Sequence, residues 1–242
     1  MALIEAQNIS VDHRLHAASF TLQRGEVLGL IGPNGAGKST LLNALVGLEE
    51  MSGRLVLSDV DVSELSDEDR AKILGLMPQA MQSAWSLSVL DVVSLGRIPW
   101  RDNNAEAVQQ AMRMAQIQAF AQRKVDELSG GERARVWLAR VLAGQPKVLL
   151  ADEPIASLDI HYQLSVMNVL KQYAQDGHGV MVALHDLSLA ARYCDRLCLL
   201  HQGKVVELGV PTQVCTAQRL SEVYGVAVEV DFQRHPPVIL PK

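Results

Sequence analysis

A glycine-rich segment followed by a lysine and two hydroxyl residues has the composition and spacing of a phosphate-binding loop. Its residues, in chain order, are Gly32, Pro33, Asn34, Gly35, Ala36, Gly37, Lys38, Ser39 and Thr40. Glycines let the backbone approach phosphate oxygens closely, and a helix beginning near Lys38 would add its positively polarised N-terminus. Lys38 would reach the β- and γ-phosphates, and Ser39 would offer a hydroxyl to Mg²⁺. The segment predicts a nucleoside triphosphate site, the alternative being an ordinary glycine-rich turn.

Two carboxylates, Asp152 and Glu153, directly follow the apolar run at 148–151. Open α/β sheets bind ligands at the carboxyl ends of their strands, so these side chains are expected near the phosphates. Asp152 would hold Mg²⁺, directly or through water, and Glu153 would polarise the attacking water as a general base. The alternative is a pair of solvated acids at a strand end.

A second helix start with exposed backbone N–H groups is predicted at residues 128–132. Ser129 would cap the helix, while Gly130 and Gly131 leave its first turn open to an anion. Glu132 lies three residues after Ser129, which also fits an ordinary capping box. The two interpretations are compatible, because a capped and open helix N-terminus is what a phosphate needs.

These motifs, in this order, resemble those of the ATP-binding cassette ATPases over nearly the whole chain. The resemblance includes Gln79, the turn at 157–159 and His185, each at the family's position. It implies a homodimer that encloses two ATP molecules, with the phosphate loop of one subunit facing residues 128–132 of the other. It also implies that Gln79 contacts Mg²⁺ and the water, that His185 holds the γ-phosphate and the water, and that Asp159 communicates across the dimer.

The chain departs from the family where an aromatic residue usually stacks on adenine. Residues 12–16 read Asp-His-Arg-Leu-His. Arg14 is the candidate, because a guanidinium plane can stack on a base, and His13 is the second choice. The alternative is that Arg14 is a solvated loop residue.

Alternating apolar runs and helical periodicity predict an α/β fold with a mostly parallel core sheet, which the resemblance identifies as a P-loop NTPase cassette. Strand-like runs lie at 27–31, 74–77, 148–151, 180–184 and 197–200, and helical patterns at 40–46, 160–175 and 187–194. Residues 3–10 and 18–23 predict an N-terminal antiparallel β subdomain. A helical subdomain at about 80–145 is predicted as an insertion within a single domain that spans 1–242. Residues 211–242 form a C-terminal extension, expected to be irregular after Phe232.

Composition narrows the classes of binding partner that the chain is expected to have. The net charge of −5 and the pI of about 5.8 disfavour nucleic acid, which attracts basic surfaces. The start of the chain lacks a secretory signal pattern, and no long uncharged apolar run predicts a membrane span. Three irregularly spaced cysteines predict buried thiols rather than disulfides or a metal site.

Segments 87–100, 184–195 and 220–226 resemble those of importers of ferric siderophores, haem and cobalamin, with a siderophore ranked first. This resemblance implies integral-membrane permease subunits, an indirect substrate-binding protein (periplasmic or a lipoprotein) and a peripheral location on the cytoplasmic face of the plasma (inner) membrane. Alternatives are an exporter or lipoprotein-release ATPase, and a soluble ATPase acting on nucleic acid or ribosomes. The expected docking residues are Trp85, Leu87, Val89, Ile98 and Trp100.

Overall fold

Strands and helices alternate along most of the chain. The computed structural model describes residues 1–79, 86–156 and 158–242. The strands are β1 (Ala2–Val11), β2 (Leu15–Gln23), β3 (Val27–Ile31), β4 (Ser52–Leu57), β5 (Val60–Asp61), β6 (Leu74–Met77), β7 (Val148–Asp152), β8 (Gly179–Ala183), β9 (Arg196–His201), β10 (Lys204–Gly209), β11 (Val228–Asp231) and β12 (Val238–Pro241). The helices, besides short 3₁₀ turns, are α1 (Lys38–Val46), α2 (Asp67–Ile73), α3 (Val89–Ser94), α4 (Ala105–Met114), α5 (Gly130–Ala143), α6 (Ile160–Gln175), α7 (Leu187–Tyr193), α8 (Pro211–Val214) and α9 (Ala217–Tyr224).

The central sheet has six strands in the order β10-β9-β3-β8-β7-β6. Its strands are parallel except β10, which pairs antiparallel with β9 at one edge. Every residue of β3, β7 and β8 is buried, which is why these strands read as continuous apolar runs. The predicted parallel core sheet is confirmed.

Alternate residues of β3 point into two hydrophobic clusters on opposite faces of the sheet. Leu28 and Leu30 pack with α1 and the N-terminal sheet. Val27 and Ile31 pack with the inserted helices, α6 and α7. The sheet therefore lies between two layers, with its carboxyl edge left open at one end.

The N-terminal strands form a separate antiparallel sheet in the order β2-β1-β4-β5. The β1–β2 pairing runs from Ala2 opposite Gln23 to Val11 opposite Leu15. Alternating burial along β2 shows one face on the core and one facing water. The predicted antiparallel β subdomain is confirmed.

Helices dominate the described residues between β6 and β7. They form α3, α4 and α5, and only one isolated β-bridge, between Ser88 and Lys124, interrupts them in the described part of this region. The inserted helical region of the predicted fold is confirmed, whereas its boundaries at about 80 and 145 stay a prediction. No helix in the described ranges is long and apolar enough to cross a bilayer.

Two sequence predictions are wrong in detail. Val89 is fully buried at the start of α3, because the apolar side of that helix packs on α5, so it cannot belong to an exposed docking surface. The tail after Phe232 is not wholly irregular, since β12 pairs with β11 and buries Ile239 in the main cluster. All three cysteines are free and buried, as expected.

Candidate nucleotide-binding site

The phosphate loop joins the end of β3 to the start of α1. Gly32, Gly35 and Gly37 have φ angles of 146°, 76° and 104°, in the region that side-chain-bearing residues rarely adopt. A Cβ on Gly32 would lie 2.1 Å from the carbonyl oxygen of Leu200, so only glycine fits there. The loop closes a tight turn in front of the N-terminus of α1.

Lys38 is held inside this loop. Its Nζ donates to the carbonyl oxygens of Gly32 at 2.8 Å and Pro33 at 3.2 Å, and the residue is only 5% exposed. Burial lowers the pKa of Lys38, while the nearby carboxylates of Glu153 and Asp152 act in the opposite direction. The ammonium group is thus largely buried at the edge of the loop, where a phosphate would feel its charge strongly.

Asp152 ends β7 beside the phosphate loop. Burial raises the pKa of its carboxyl, and the neighbouring Ser39 hydroxyl acts in the opposite direction. Its Oδ1 atom is buried and makes no hydrogen bond. A buried carboxylate oxygen without a partner is costly, and a hard cation next to a serine hydroxyl would satisfy it. The donor set therefore fits Mg²⁺.

Glu153 receives one partner on each carboxylate oxygen. Gln79 Nε2 donates to Oε2 at 2.7 Å, and His185 Nε2 forms a very short contact with Oε1. Gln79 lies two residues beyond β6, and His185 lies two residues beyond β8, so three neighbouring strand ends deliver the cluster. Glu153 has a φ of 51°, and holding a non-glycine residue there costs about 1–3 kcal/mol. Such strain is characteristic of functional positions.

A cleft of about 720 Å³ connects these groups. Its lining residues are His13, Arg14, Asn34, Gly35, Ala36, Gly37, Lys38, Ser39, Thr40, Gln79, Glu153, His185, Gln202 and Gly203. Most of the residues predicted for the phosphates and for hydrolysis are therefore brought together. The volume suits a nucleotide and its phosphates.

The sequence analysis missed Gln202 and Gly203, which form the β9–β10 turn. Gly203 N donates to Ala36 O at 3.1 Å, and His16 N donates to Gly203 O at 2.7 Å. A Cβ on Gly203 would meet Arg14 O at 2.6 Å. The only signal in the sequence was a glycine three residues after the apolar run at 197–200, which indicates a turn but not what the turn contacts.

Arg14 lies at the mouth of the cleft, where the candidate base-stacking residue was expected. Its Nη1 donates to Glu49 Oε1 at 2.8 Å, and 61% of its side chain is exposed. His13 lies beside it, paired with Asp12. The Arg14 guanidinium is thus anchored at the cleft by a carboxylate, with most of its surface free to face a base.

The second predicted anion site, the start of α5, does not line this cleft. Ser129 and Glu132 form a complete capping box, in which Ser129 N donates to Glu132 Oε2 at 2.9 Å. A Cβ on Gly130 would meet no atom within 4 Å, whereas one on Gly131 would lie 2.4 Å from the ring of Tyr162. Gly130 therefore faces open space, and Gly131 is a packing position.

Asp159 also lies apart from the cleft. It caps α6, accepting a hydrogen bond from Tyr162 N at 3.1 Å. Ser157, in the predicted turn before it, lies outside the described residues, as does Trp85. The start of α5 and the start of α6 meet at Gly131 and Tyr162, so both belong to one surface remote from the phosphates.

Comparison with known proteins gives consistent results. The chain matches the family described as ABC transporter over residues 15–156. It is 44% identical to the hemin import ATP-binding protein HmuV of Rhodococcus jostii over 92% of this chain and 75% of that protein. It is 41% identical to the HmuV of Bordetella avium over 96% of this chain and 95% of that protein.

Two solved structures show the same fold. One, described as a metal-chelate type ABC transporter in an inward-facing conformation, has a TM-score of 0.86 and 24% identity, covering 100% of this chain and 98% of that chain. The other, a bacterial ABC transporter cassette solved as a dimer, has a TM-score of 0.77 and 28% identity, covering 86% and 98%.

Proposed function

The chain belongs to the ABC transporter family, and we propose on that premise that it is the ATPase subunit of an importer of haem. The chain itself is an ATP-binding and ATP-hydrolysing protein. Its relatives carry the name hemin import ATP-binding protein, at identities of 41–44% over nearly the full chain. The sequence alone ranked ferric siderophores first, but these names favour haem, so haem takes that place here, ahead of the other chelates.

One observation carries the proposed chemistry: the convergence of three strand ends on Glu153. Gln79 and His185 hold its two carboxylate oxygens, and Lys38 lies close enough for its pKa to respond to the same carboxylate. Glu153 would accept the proton of the attacking water, and His185 would orient that water and the γ-phosphate. Lys38 would neutralise charge that develops on the β- and γ-phosphates.

Mg²⁺ fits the same site. Asp152, Ser39 and Gln79 would hold it, because the Oδ1 atom of Asp152 is otherwise an unpartnered buried acceptor. When bound, the ion would neutralise phosphate charge during transfer. Gly35, Gly37 and the rest of the loop at 32–40 would wrap the phosphates, with Arg14 against the base.

The open start of α5 supports a homodimer. Ser129 and Gly130 lie away from the cleft of their own chain, and the space around Gly130 is free. Glu132 completes the capping box that keeps this helix start in shape. We propose that these residues contact the ATP bound by a second subunit. Asp159, on the same surface, would communicate between the two nucleotide sites of the dimer. ATP would close the dimer and hydrolysis would reopen it.

A permease would receive this motion at the inserted helices, which we assign to a subdomain at about 80–145. Ile98 is 64% exposed and Trp100 39% exposed, on the 3₁₀ turn that follows α3. Leu87 is half-buried against the core and contributes less. The chain would sit on the cytoplasmic side of the membrane, bound to its permease, and meet the substrate-binding protein only indirectly.

Ile98 is the cleaner docking probe of the two. Trp100 is tied into the fold, since its Nε1 donates to Gly144 O at 2.8 Å and Arg97 stacks on its ring. Ile98→Asp should keep basal ATPase activity while abolishing stimulation by the permease. Val206→Asp is the matched control, because Val206 is 43% exposed on β10, at the edge of the central sheet opposite to β6. Equal stimulation of both variants would place the docking surface elsewhere.

The function itself is tested in proteoliposomes that contain this chain, its genomically adjacent permease and the cognate binding protein. ATP-dependent accumulation of haem, but not of a ferric siderophore or cobalamin, is expected. Accumulation of another chelate would correct the substrate, and efflux would favour an exporter. ATPase activity stimulated by DNA or ribosomes, and not by the permease, would overturn the transport proposal.

A further inference from the structure

The C-terminal extension (211–242) is firmly attached to the catalytic core. It contains α8, α9 and the β11–β12 hairpin. Its buried apolar side chains join the main hydrophobic cluster alongside Tyr193 and Cys194 of the α7 region; they are Val214, Leu220, Val223, Val228 and Ile239. Arg219 Nη2 also pairs with Glu207 of β10 at 2.7 Å. A segment packed in this way can transmit movement between the core elements that it contacts.

One contact of the extension reaches the element that carries His185. Ser188, three residues after His185, lies in the first turn of α7. Ile239 N donates to Ser188 Oγ at 2.9 Å, and that hydroxyl lies 3.2 Å from Ile239 O, to which it donates. The backbone N–H and C=O of Ile239 in β12 therefore both hydrogen-bond to Ser188 in α7. A rotation of α7 would break this pair or move His185 with it.

We propose that Ser188 is a positioning residue for ATP hydrolysis, acting through His185. The inference rests on the proposed function, since it needs His185 to orient the γ-phosphate and the water. The extension holds the first turn of the helix that closely follows His185. A purely structural extension would stabilise the fold without changing the rate per folded molecule.

The test compares Ser188→Ala with Ser221→Ala in the full chain. Ser221 Oγ accepts a hydrogen bond from Val228 N at 3.0 Å inside the extension, so its loss removes a similar contact that does not involve α7. Basal ATPase is measured well below both unfolding temperatures. Ser188→Ala should lower kcat about 3- to 30-fold with KM within about twofold, because misplacement of an orienting group affects the chemical step. Ser221→Ala should keep the wild-type kcat, and Ser188→Thr, which retains the hydroxyl, should recover most of the loss.

Equal kcat for Ser188→Ala and Ser221→Ala overturns the role of Ser188, provided that the wild-type chain hydrolyses ATP; a wild-type chain without ATPase activity would instead overturn the proposed function.

Hydrogen exchange on the wild-type chain supplies a measurement that needs no variant. Adding Mg²⁺ and a non-hydrolysable ATP analogue should slow exchange at the amide of Ile239. The neighbouring hairpin strand β11 is the internal reference. Unchanged exchange at Ile239, with protection of the phosphate loop demonstrated in the same sample, overturns the coupling.

Discussion

The phosphate loop and the start of α5 are both helix N-termini suited to anions, but they are completed to different degrees. At the phosphate loop the chain supplies a lysine, two carboxylates, a histidine and a glutamine around one cleft. At α5 the capping box is closed, yet Gly130 faces empty space within its own chain. The chain itself completes the first site, whereas the second presents backbone groups that we propose bind the nucleotide of a second subunit.

Glu153→Gln should produce the largest effect at the site that the chain itself completes. Loss of a general base costs about 10²–10⁴-fold in rate, while nucleotide binding should persist because the phosphate loop is untouched. Removing one negative charge per site should also stabilise the closed, ATP-bound dimer. Steady-state ATPase assays and size-exclusion chromatography with ATP measure both. Wild-type turnover in the variant would remove Glu153 from this role.

Mixed dimers test whether the start of α5 contributes to the nucleotide site of the other subunit. A dimer of one Lys38→Ala subunit and one Ser129→Arg subunit should retain one intact composite site and measurable ATPase activity. The matched control places both substitutions on one subunit beside a wild-type partner, which disables both composite sites. Differently tagged subunits allow each dimer to be purified. The opposite ranking of activities would mean that each chain uses its own α5.

Neighbouring glycines sharpen the contrast between packing and binding. Gly130→Ala should change the free energy of unfolding by no more than about 0.5 kcal/mol, since the new methyl meets nothing. It should still lower ATPase activity about tenfold by obstructing the phosphate of a partner. Gly131→Ala should instead cost about 1–3 kcal/mol of stability, because its Cβ would collide with Tyr162. Chemical denaturation and ATPase assays separate the two, and full activity in Gly130→Ala would contradict the trans assignment.

Asp152→Asn should reverse its effect on stability when Mg²⁺ and nucleotide are added. Without them the variant should be more stable by about 1 kcal/mol, because the substitution removes a negative charge that burial disfavours. The raised pKa means that the folded carboxyl binds a proton more tightly than the unfolded one. The penalty is therefore present above the raised pKa, and the variant's advantage should shrink as the pH falls through it. With Mg²⁺ and nucleotide the wild type should melt higher; thermal unfolding that ranks the variant first in both conditions would argue against a metal ligand.

The smallest effect is expected at the rim of the cleft. Arg14→Ala should raise the KM for ATP about threefold and leave kcat nearly unchanged, because base stacking acts alike on the ground and transition states. Glu49→Gln is the informative companion, since it frees the Arg14 guanidinium from its ion pair. His13→Ala is the control. A KM raised only by His13→Ala would move the assignment by one residue.

The parts of the fold that could be predicted are those in which buried apolar residues recur in a regular pattern along the chain. Strands β3 and β6 begin and end at the predicted residues. The apolar run of β3 is bounded by Glu26 and Gly32, and that of β6 stops at Pro78. Val89 was misplaced because an apolar residue in a short helix reads alike whether it faces a partner protein or its own core. Strand β12 was missed because its prolines argue for irregular chain, whereas burial of Ile239 beneath α7 supplies the ordering energy.

In the candidate site, the sequence motifs predicted which residues take part but not which residues each of them contacts. Glu153, Gln79 and His185 are far apart in the chain, and only the strand order of the sheet makes them neighbours. Gly203 carried no motif at all, since its role depends on backbone contacts with Ala36 and His16. Long-range backbone contacts of this kind leave no signature beyond a single glycine.

The turn at Gly203 also bears on the order in which the molecule is made. The phosphate loop is translated early, but Gly203 comes near the end of the chain; its N–H donates to Ala36 O of the loop, and its carbonyl oxygen accepts from His16 N of β2. Strand β3, which leads into the loop, lies between β8 and β9, both also synthesised late. A nascent chain on the ribosome therefore holds every glycine of the loop long before it holds the walls that shape it. The chain can therefore bind nucleotide only after it has been synthesised and folded through β10. Bound ATP would then stabilise these completed chains selectively.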